Sequence, residues 1–372
     1  MYIESLSLKT FRNYESVVID FSPKVNFITG ENGSGKTNIL EAVSVLANIK
    51  SFKGISDQDI VKWGYDSYYI SADIEDNDYN KFEIGFSFLQ NRTRKKVKID
   101  DAEIHKASNY YGKLLAVIIS PGDINIINGG PELRRRFFDS VISKFDENYY
   151  DALYDFKKTI VNRNSLLKQL REKKVKETKD LEPWDILFAK KSSILIAKRI
   201  EFIKSFKEIF SQTYKKIASP DKGPDIEYIN SAGVASEQEL LNELSKRRIK
   251  DILSGSCSIG PHRDDFLLKN NEGIHFTNYG SQGQRRTAAI SLKLAEREIT
   301  EERLGKKSVI LVDDIFSELD ENRRKKMVDL LSSGNQVIFT MVNINSVDLD
   351  LFPDSKLYEV KENKILNSLT SI

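Results

Sequence analysis

The chain has 372 residues, of which 40% are hydrophobic and 30% are charged, proportions typical of a globular protein rather than a disordered or membrane-embedded one. This length accommodates two or three ordinary domains, or one large domain that carries an insertion. Lysine and arginine number 57 against 55 aspartate and glutamate residues, so the net charge of +2 neither demands nor excludes a nucleic-acid partner.

The longest apolar run, at residues 114–119, is far shorter than the ~18 residues that a transmembrane helix requires. The N-terminal sequence lacks the basic and then apolar pattern of a signal peptide. The single cysteine, Cys257, excludes an internal disulfide and a multi-cysteine zinc site. We therefore expect a cytoplasmic protein with no membrane partner.

Predicted strands come first along the chain. Short β-rich segments lie at residues 2–8, 17–21, 25–29, 68–74, 81–88 and 95–99. A predicted helix at 37–49 interrupts them and begins directly after a glycine-rich turn. Because several of the strands alternate apolar and polar residues, we expect part of this sheet to have one face in water.

The middle of the chain is predominantly helical. From residue 131 to about residue 216, apolar residues recur at helical spacing while proline and glycine almost vanish. A strand is predicted at 225–229, and the next helix opens with a capping box formed by Ser236 and Glu239. Beyond residue 255, strand and helix signals alternate, as in an α/β fold, at 266–269, 281–304, 308–312, 321–331 and 336–340.

These elements predict an α/β domain formed by residues 1–130 and 255–372, with a mainly helical lobe at 131–254 inserted into it. One seven-residue recurrence in the lobe is typical of a coiled coil: Phe188, Leu195, Phe202 and Ile209. However, Ser192 and Arg199 stand where a second apolar seam would be needed. We therefore expect core helices rather than a coiled coil.

The most specific motif matches G-x-x-x-x-G-K-[ST] and lies between a predicted strand and a predicted helix. Its glycines allow backbone N–H groups to turn toward phosphate oxygens, Lys36 can reach the β- and γ-phosphates, and the Thr37 hydroxyl can ligate Mg²⁺. The predicted phosphate-binding residues are Gly30, Glu31, Asn32, Gly33, Ser34, Gly35, Lys36 and Thr37.

A P-loop hydrolase also needs a carboxylate at the end of a neighbouring strand. Four apolar residues at 309–312 are followed by Asp313 and Asp314. Asp313 is predicted to hold Mg²⁺ directly or through water, and Asp314 to polarise the attacking water. Lys36, Asp313 and Asp314 are thus the predicted catalytic residues, and Thr37 and Asp313 the predicted metal ligands.

A second candidate phosphate site precedes the long helix at 281–304. Ser281, Gly283 and Gln284 stand at its start, where a serine, a glycine and the helix N-terminus can bind a phosphate. One P-loop does not need two such sites for the same phosphate, so we expect these residues to reach the γ-phosphate of ATP held by another subunit. An ordinary serine N-cap followed by a turn glycine is the alternative.

Together these motifs resemble the ABC-type ATPase heads of the structural-maintenance-of-chromosomes group. Residues 281–284 are similar to the signature motif of that group and Ser317-Glu-Leu-Asp320 to its D-loop. Within the group, the motifs resemble in order and spacing those of the RecF family of bacterial recombination mediators. The further segments that carry this resemblance are 8–14, 120–123, 131–136, 260–265, 281–287 and 313–320.

The resemblance implies an α/β fold, an ABC-type P-loop ATPase head with a largely helical second lobe inserted. It also implies a weak ATPase that uses ATP and Mg²⁺ and dimerises on ATP. The implied partners are gapped or junction DNA, and RecR and RecO, with which such a protein helps RecA to load. Because the sequence shows no recognition helix, zinc finger or cluster of stacking aromatics, we expect DNA binding without sequence specificity. Most ABC-type ATPases have Glu where this chain has Asp314, whose side chain is one methylene shorter. Relatives in the wider group have a histidine after the last core strand. In this chain no histidine directly follows Phe339, so the role of that histidine is assigned to no residue.

Four concentrated basic runs are candidate DNA-backbone contacts, although a run of this kind is more often a solvated face. They lie at 92–98, 134–136, 246–250 and 323–326. His262 beside Asp264 and Asp265 could suggest a metal site, but side chains so close in sequence rarely converge on one ion. Arg263 is a candidate phosphate or interdomain contact.

The sequence disfavours three functions other than DNA repair. The ATPase subunit of a membrane transporter is disfavoured because the number of residues between Lys36 and Ser281 is more than twice that expected in a transporter ATPase. A chromosome-architecture protein would need a long coiled-coil arm, which the segment between the two halves of the α/β domain cannot supply. A P-loop nuclease or kinase would leave Ser281 without a role.

Overall fold

The computed structural model describes residues 1–90, 92–173, 178–218, 224–270, 273, 275–315, 326–327, 330–331, 334–344, 352 and 354–370. They form two compact units, one of Met1–Asp123 with Glu296–Ile372 and one of Ile124–Ala295. Within these ranges, no helix is long and apolar enough to cross a membrane.

The strands of the described residues are β1 (Tyr2–Phe11), β2 (Tyr14–Asp20), β3 (Val25–Thr29), β4 (Ser67–Glu75), β5 (Lys81–Leu89), β6 (Arg92–Ile99), β7 (Ala102–Glu103), β8 (Ala116–Ile119), β9 (Asp225–Ile229), β10 (Asp265–Lys269), β11 (Val309–Asp313), β12 (Val337–Met341), β13 (Lys356–Lys361) and β14 (Lys364–Thr370). The α-helices are α1 (Lys36–Asn48), α2 (Asp57–Ile60), α3 (Ile124–Asn128), α4 (Pro131–Ser143), α5 (Glu147–Arg171), α6 (Glu182–Ile217), α7 (Glu237–Ser254), α8 (Phe276–Tyr279) and α9 (Gln282–Leu304). Short 3-10 helices occupy Ala107–Asn109, Pro121–Asp123 and Thr178–Leu181.

The first unit contains an antiparallel sheet with the strand order β2-β1-β4-β5-β6-β7. Alternation is clear in β4, where buried and more exposed residues follow one another, because successive side chains point to opposite faces of a sheet. The buried face belongs to the hydrophobic core of the unit. One face of this sheet is therefore in contact with water, in agreement with the alternation of its sequence.

The second sheet of the same unit positions the candidate site. Its order is β14-β13-β3-β12-β11-β8, and β13, β3, β12, β11 and β8 pair in parallel. Every residue of β11 and β12 is buried, as expected of parallel strands covered on both faces. The carboxyl ends of β3, β12 and β11 consequently meet at one edge, where the P-loop and the two aspartates begin.

Helix α1 packs within the core of the first unit. Ten of its residues are buried, Lys36 and Glu41 among them, and its apolar side chains share one hydrophobic cluster with residues of both sheets. The helix ends at Asn48 and is capped by Ile49, whose backbone is left-handed with φ 56. A helix that is apolar nearly all round is stable only when it is enclosed in this way.

The second unit contains the predicted helical lobe. Helices α5, α6 and α7 pack against one another, and the heptad-spaced Phe188, Leu195 and Phe202 of α6 are buried. Arg199 is also buried in α6, where its guanidinium donates hydrogen bonds to Asp139 and to the carbonyl oxygen of Pro261. The side chains of α6 therefore belong to a packed core, as the interrupted heptad indicates.

The second unit extends further along the chain than the predicted lobe. It reaches Ala295, whereas the sequence places residues from 255 onward in the ATPase domain. The reason is visible in the pairing of β10 with β9 and in the ion pair of Arg134 in α4 with Asp265 in β10, at 2.8 Å. These long-range contacts attach the 260–269 segment to the helices that precede it.

Candidate nucleotide-binding site

The glycine-rich motif forms the loop between β3 and α1, and glycine is required at two of its positions. A Cβ on Gly30 would lie 2.4 Å from the carbonyl oxygen of Val360. A Cβ on Gly35 would lie 2.6 Å from Nδ2 of Asn13, and the φ of Gly35 is 109°, a conformation that costs other residues free energy. No side chain would fit at these two positions. Because glycine is present there, the backbone N–H groups of the loop can remain accessible at the N-terminus of α1.

Lys36 lies over this loop. Its ammonium donates hydrogen bonds to the carbonyl oxygens of Gly30, at 2.6 Å, and Glu31, at 2.8 Å. Burial lowers the pKa of the ammonium, while the negative charges of Asp314 and Asp313 oppose this shift. The positive charge of Lys36 therefore lies beside the loop, and both strand-end aspartates are close enough to affect its pKa.

The Thr37 hydroxyl donates a hydrogen bond of 2.8 Å to Oδ1 of Asp313. The hydroxyl of Thr340, in β12, donates to the same oxygen at 2.7 Å. Asp313 is thus oriented from both sides, because β12 lies between β3 and β11 in the sheet. The two predicted metal ligands are in direct contact, and Thr340 is a positioning residue that the sequence analysis did not identify.

Asp314 follows β11 with a left-handed backbone, φ 45. Its N–H donates to the carbonyl oxygen of Thr340 at 3.1 Å. Aspartate tolerates this conformation better than most residues, but a non-glycine residue at positive φ is uncommon and concentrates at functional sites.

The turn between β1 and β2 supports the loop from the side. Asn13 accepts a hydrogen bond of 2.8 Å from Nδ2 of Asn38 in α1, and its Nδ2 lies 3.5 Å from the carbonyl oxygen of Ser34. The Tyr14 hydroxyl would lie 2.8 Å from a Cβ on Gly35. Asn13 is a second residue that the sequence analysis missed, although it belongs to the 8–14 segment quoted for the family resemblance.

The residues present fit a phosphate and a divalent cation. The Ser34 hydroxyl oxygen is buried without a hydrogen-bond partner among the described residues, and buried polar atoms normally have one. Thr37 and Asp313 supply the hydroxyl and carboxylate oxygens that Mg²⁺ prefers. Glu31, Asn32 and Gly33 complete the loop and are exposed.

The second candidate phosphate site belongs to the other unit. The Ser281 hydroxyl accepts a hydrogen bond from the N–H of Gln284 at 3.2 Å, and Oε1 of Gln284 accepts one from the N–H of Ser281 at 2.8 Å. This is a capping box at the start of α9. Both residues are exposed, and Gly283 is partly exposed. The geometry satisfies the N-cap interpretation and leaves the motif open to solvent.

The basic run at 134–136 is largely engaged in contacts within the second unit. The guanidinium of Arg134 binds both carboxylate oxygens of Asp265, at 2.8 and 2.9 Å, and Arg135 donates to the carbonyl oxygen of Asp264 at 2.6 Å. Only Arg136 is exposed, and it pairs with Glu132. Internal contacts therefore occupy the guanidinium of Arg134, which is buried, and part of that of Arg135, which is half-buried.

The 260–265 segment has an architectural role in the second unit. Asp264 is fully buried and accepts hydrogen bonds from Arg199 and Ser231. Burial lowers the pKa of His262 to about 4, and Arg263 donates to the carbonyl oxygen of Cys257 at 3.2 Å. No cluster of three or more His, Cys, Asp or Glu residues that could hold a metal exists in the described part of the chain.

Two predicted features lie wholly or largely outside the described residues. They are the segment similar to a D-loop, Ser317 to Asp320, and the basic run at 323–326. The predicted helix at 321–331 is described only at 326–327 and 330–331.

Comparison with known proteins identifies the family. The model of the RecF/RecN/SMC N-terminal domain matches residues 2–364. The chain is 33% identical over 348 residues to the DNA replication and repair protein RecF of Leptospira interrogans serogroup Icterohaemorrhagiae serovar Lai, with 93% of each chain covered. It is 37% identical over 361 residues to RecF of Lachnoclostridium phytofermentans, with 97% of this chain and 98% of that protein covered.

Solved structures agree with the sequence comparison. A structure described as that of the recombination mediator protein RecF-ATP in the RecFOR pathway superimposes with a TM-score of 0.89 at 34% identity, and the match covers 99% of this chain and 98% of that chain. The predicted fold class, an ABC-type P-loop ATPase head with helical content, is confirmed by this match. The chain belongs to the RecF family of DNA replication and repair proteins, within the RecF/RecN/SMC group.

Proposed function

We propose that this protein is an ATP-dependent DNA-binding recombination mediator of the cytoplasm. It binds ATP with Mg²⁺, dimerises on ATP, hydrolyses it weakly, and engages gapped or junction DNA to help RecA load together with RecO and RecR. The observation that carries the ATP-binding part is the 2.8 Å hydrogen bond between Thr37 and Asp313 beside a glycine-rich loop. The names of its relatives, replication and repair proteins and an ATP-bound mediator of the RecFOR pathway, support the role in DNA repair. Dimerisation on ATP, gapped or junction DNA, and the RecA, RecO and RecR partners are what the family resemblance implies.

The residues of the site have distinct roles in this proposal. The N–H groups of 33–37 and the Lys36 ammonium bind the phosphates, since charge-assisted hydrogen bonds to phosphate are the strong ones. Thr37 and Asp313 would hold Mg²⁺, which when bound neutralises phosphate charge. Asp314 accepts a proton at its carboxylate from the attacking water. The hydroxyl of Thr340 keeps Asp313 in the orientation that faces Thr37.

The signature residues complete the site of a second subunit in this proposal. In the capping box the Ser281 oxygen acts as acceptor, so the hydroxyl hydrogen can be donated to a γ-phosphate. Gly283 allows close approach of the backbone, and Gln284 holds the serine in place. The start of α9 then adds the partial positive charge of a helix N-terminus.

Sedimentation velocity with and without nucleotide tests this mechanism. We expect a monomer without nucleotide and a dimer with ATP and Mg²⁺, because each composite site needs the loop of one subunit and Ser281 of the other. Hydrolysis per molecule should rise with protein concentration until dimers dominate. A constant rate per molecule from well below to well above the assembly midpoint would contradict the composite site.

The strongest candidate DNA surface is the basic row of β6, which we define as Arg92, Arg94, Lys96 and Lys98. Alternate residues of a strand point to one face, so these four side chains lie in line, about 6.8 Å apart. Arg92 and Arg94 are exposed, whereas Lys96 and Lys98 are half-buried and Lys96 pairs with Glu103 at 3.5 Å. β6 pairs with the two-residue β7 at Lys98 and Ile99, and charged residues also protect a largely open strand edge of this kind from aggregation. This structural role is the alternative to DNA binding.

Two of the other basic runs, at 134–136 and 246–250, have fewer available charges. Lys95, within the same strand, points to the opposite face and pairs with Asp57 at 2.6 Å. In α7, Lys246 and Arg247 pair with Glu243, and Arg248 pairs with Asp185. The basic row of β6 is therefore the better hypothesis for contact with a DNA backbone, which is recognised without reading base sequence.

The salt dependence of DNA affinity tests the basic row. If Arg92 and Arg94 contact phosphates, the double variant Arg92→Gln, Arg94→Gln should reduce the slope of log affinity against log salt by about two. Filter binding or fluorescence anisotropy with double-stranded, single-stranded and gapped DNA measures this. Lys307→Gln, an exposed lysine that precedes β11, is the matched control. Equal slopes in both variants and the unaltered protein would exclude the row as the DNA surface.

A further inference from the structure

Helix α1 contains a carboxylate that the phosphate-binding motif does not explain. Glu41 stands one helical turn after Thr37 and is fully buried. The Arg12 guanidinium binds it through two hydrogen bonds, from Nε to Oε2 at 2.9 Å and from Nη2 to Oε1 at 2.7 Å. The hydroxyl of Ser51 donates to Oε1 at 2.5 Å, and the Lys53 ammonium lies 3.1 Å from Oε2.

The partners of this carboxylate favour its ionised form. Burial alone would raise the pKa of Glu41, but the hydrogen bonds from Arg12 and Ser51 and the charge of Lys53 together hold that pKa below its ordinary value. A buried charge persists only when its partners compensate for lost hydration. The partners here come from two different segments, the β1–β2 turn and the chain that follows α1.

The turn that Glu41 holds is the one that contacts the phosphate-binding loop. Arg12 has a left-handed backbone, φ 54, which a bulky residue adopts only when surrounding contacts maintain it. The next residue, Asn13, accepts a hydrogen bond from Asn38 and lies against Gly35, where a Cβ would approach within 2.6 Å. The position of Arg12 thus determines where Asn13 lies against the phosphate-binding loop.

The same carboxylate attaches the segment at 50–62. Ser51 and Lys53 bind Glu41 directly, and Nη1 of Arg12 donates to the carbonyl oxygen of Asp59 at 2.7 Å. At the end of this segment, the Lys62 ammonium donates to the carbonyl oxygen of Asn13 at 2.7 Å. The 50–62 segment is therefore held at its start by Glu41, further on by Arg12, and at its end by the turn that supports the loop.

We propose that Glu41 is a positioning residue for nucleotide binding: through Arg12 it fixes the β1–β2 turn against the phosphate-binding loop, and through Ser51 it ties the 50–62 segment to that turn. This rests on the proposed ATP binding and deepens it. The side chain does not touch the phosphates in this mechanism. It keeps the N–H groups of the loop in the geometry that receives them, so its loss weakens binding more than it slows the chemical step.

Glu41→Gln is the test variant, because it keeps the shape and removes the charge and one acceptor. We expect the Kd for ATP to rise by about ten-fold, while kcat at saturating ATP stays within about two-fold. Amide hydrogen exchange should accelerate at 30–37 and 50–62. Asp265→Asn is the matched control, since it breaks another bidentate arginine pair, with Arg134 in the second unit. It should lower the melting temperature without changing the Kd for ATP.

Two outcomes would overturn the proposal. One is an unchanged Kd for ATP in Glu41→Gln, and the other is an equal rise in Kd in Asp265→Asn. If Glu41→Gln does not fold, Ser51→Ala removes a single hydrogen bond to the same carboxylate and should raise the Kd for ATP by about two- to three-fold. An unchanged Kd for ATP in Ser51→Ala would also contradict the proposal. Failure of the unaltered protein to bind ATP would refute the proposed function instead, so the two failures are distinguishable.

Discussion

Replacing Lys36 by alanine is expected to weaken ATP binding by at least ten-fold while the fold survives. The ammonium is the main cationic group over the loop, and burial strengthens its electrostatic interactions. Its two hydrogen bonds in the structure are to loop carbonyl oxygens, and alanine is the best helix former for the first position of α1. Isothermal titration calorimetry and circular dichroism measure the two effects separately.

Lys24→Ala is the control for this variant. Lys24 directly precedes β3, pairs with Asp354 at 2.8 Å and is largely exposed, so it lies at the opposite end of the strand from the loop. The affinity of this control for ATP should equal that of the unaltered protein. If Lys36→Ala binds ATP with unchanged affinity, the loop is not the nucleotide site.

The second large effect concerns assembly. Ser281→Arg should leave ATP binding by the monomer nearly intact but block ATP-induced dimerisation, because a bulky cation would occupy the place of the γ-phosphate of the partner subunit. The variant also removes the N-cap of α9, which costs about 1 kcal/mol. Ser236→Arg is a matched control, since Ser236 forms the same capping box with Glu239 at the start of α7. It should dimerise normally.

Asp314→Asn should have the opposite effect on the same assembly. It keeps the size of the side chain and leaves Asp313 bound to Thr37, but removes the carboxylate that accepts a proton from water. We expect a dimer that binds ATP and persists because hydrolysis is slowed by about 100-fold or more. Sedimentation velocity and phosphate release measure both properties. The composite mechanism does not hold if Ser281→Arg hydrolyses ATP as a monomer at the rate of the unaltered protein.

Local sequence predicted the elements of the site closely. Residues 25–29 were predicted as a strand and form β3 with the same bounds, and the 308–312 prediction differs from β11 by one position at each end. Such strands are recognisable because continuous β-branched and apolar residues are typical of a sheet buried on both faces. The phosphate-binding motif was recognisable for a related reason, since its glycines are needed by the backbone itself.

Long-range contacts were less predictable. The basic run at 134–136 has the same composition as a DNA-binding patch, and only the approach of Asp265 across the second unit shows that Arg134 is committed to an internal pair. Thr340 and Glu41 carry no motif of their own. Their significance appears when β12 is found beside β11 and when Arg12 is found against α1.

The sequence by itself determined the family resemblance, the α/β class, the glycine-rich loop between a strand and a helix, and the two strand-end aspartates, because each depends on residues that are neighbours in the chain. The tertiary structure alone decided which polar residues support that loop and which charges remain available to a partner. Asp313, Thr37 and Thr340 come from three segments far apart in sequence and meet because parallel strands end at one edge. A buried charge likewise takes its partner from whichever segment the fold brings near, as Glu41 does with Arg12.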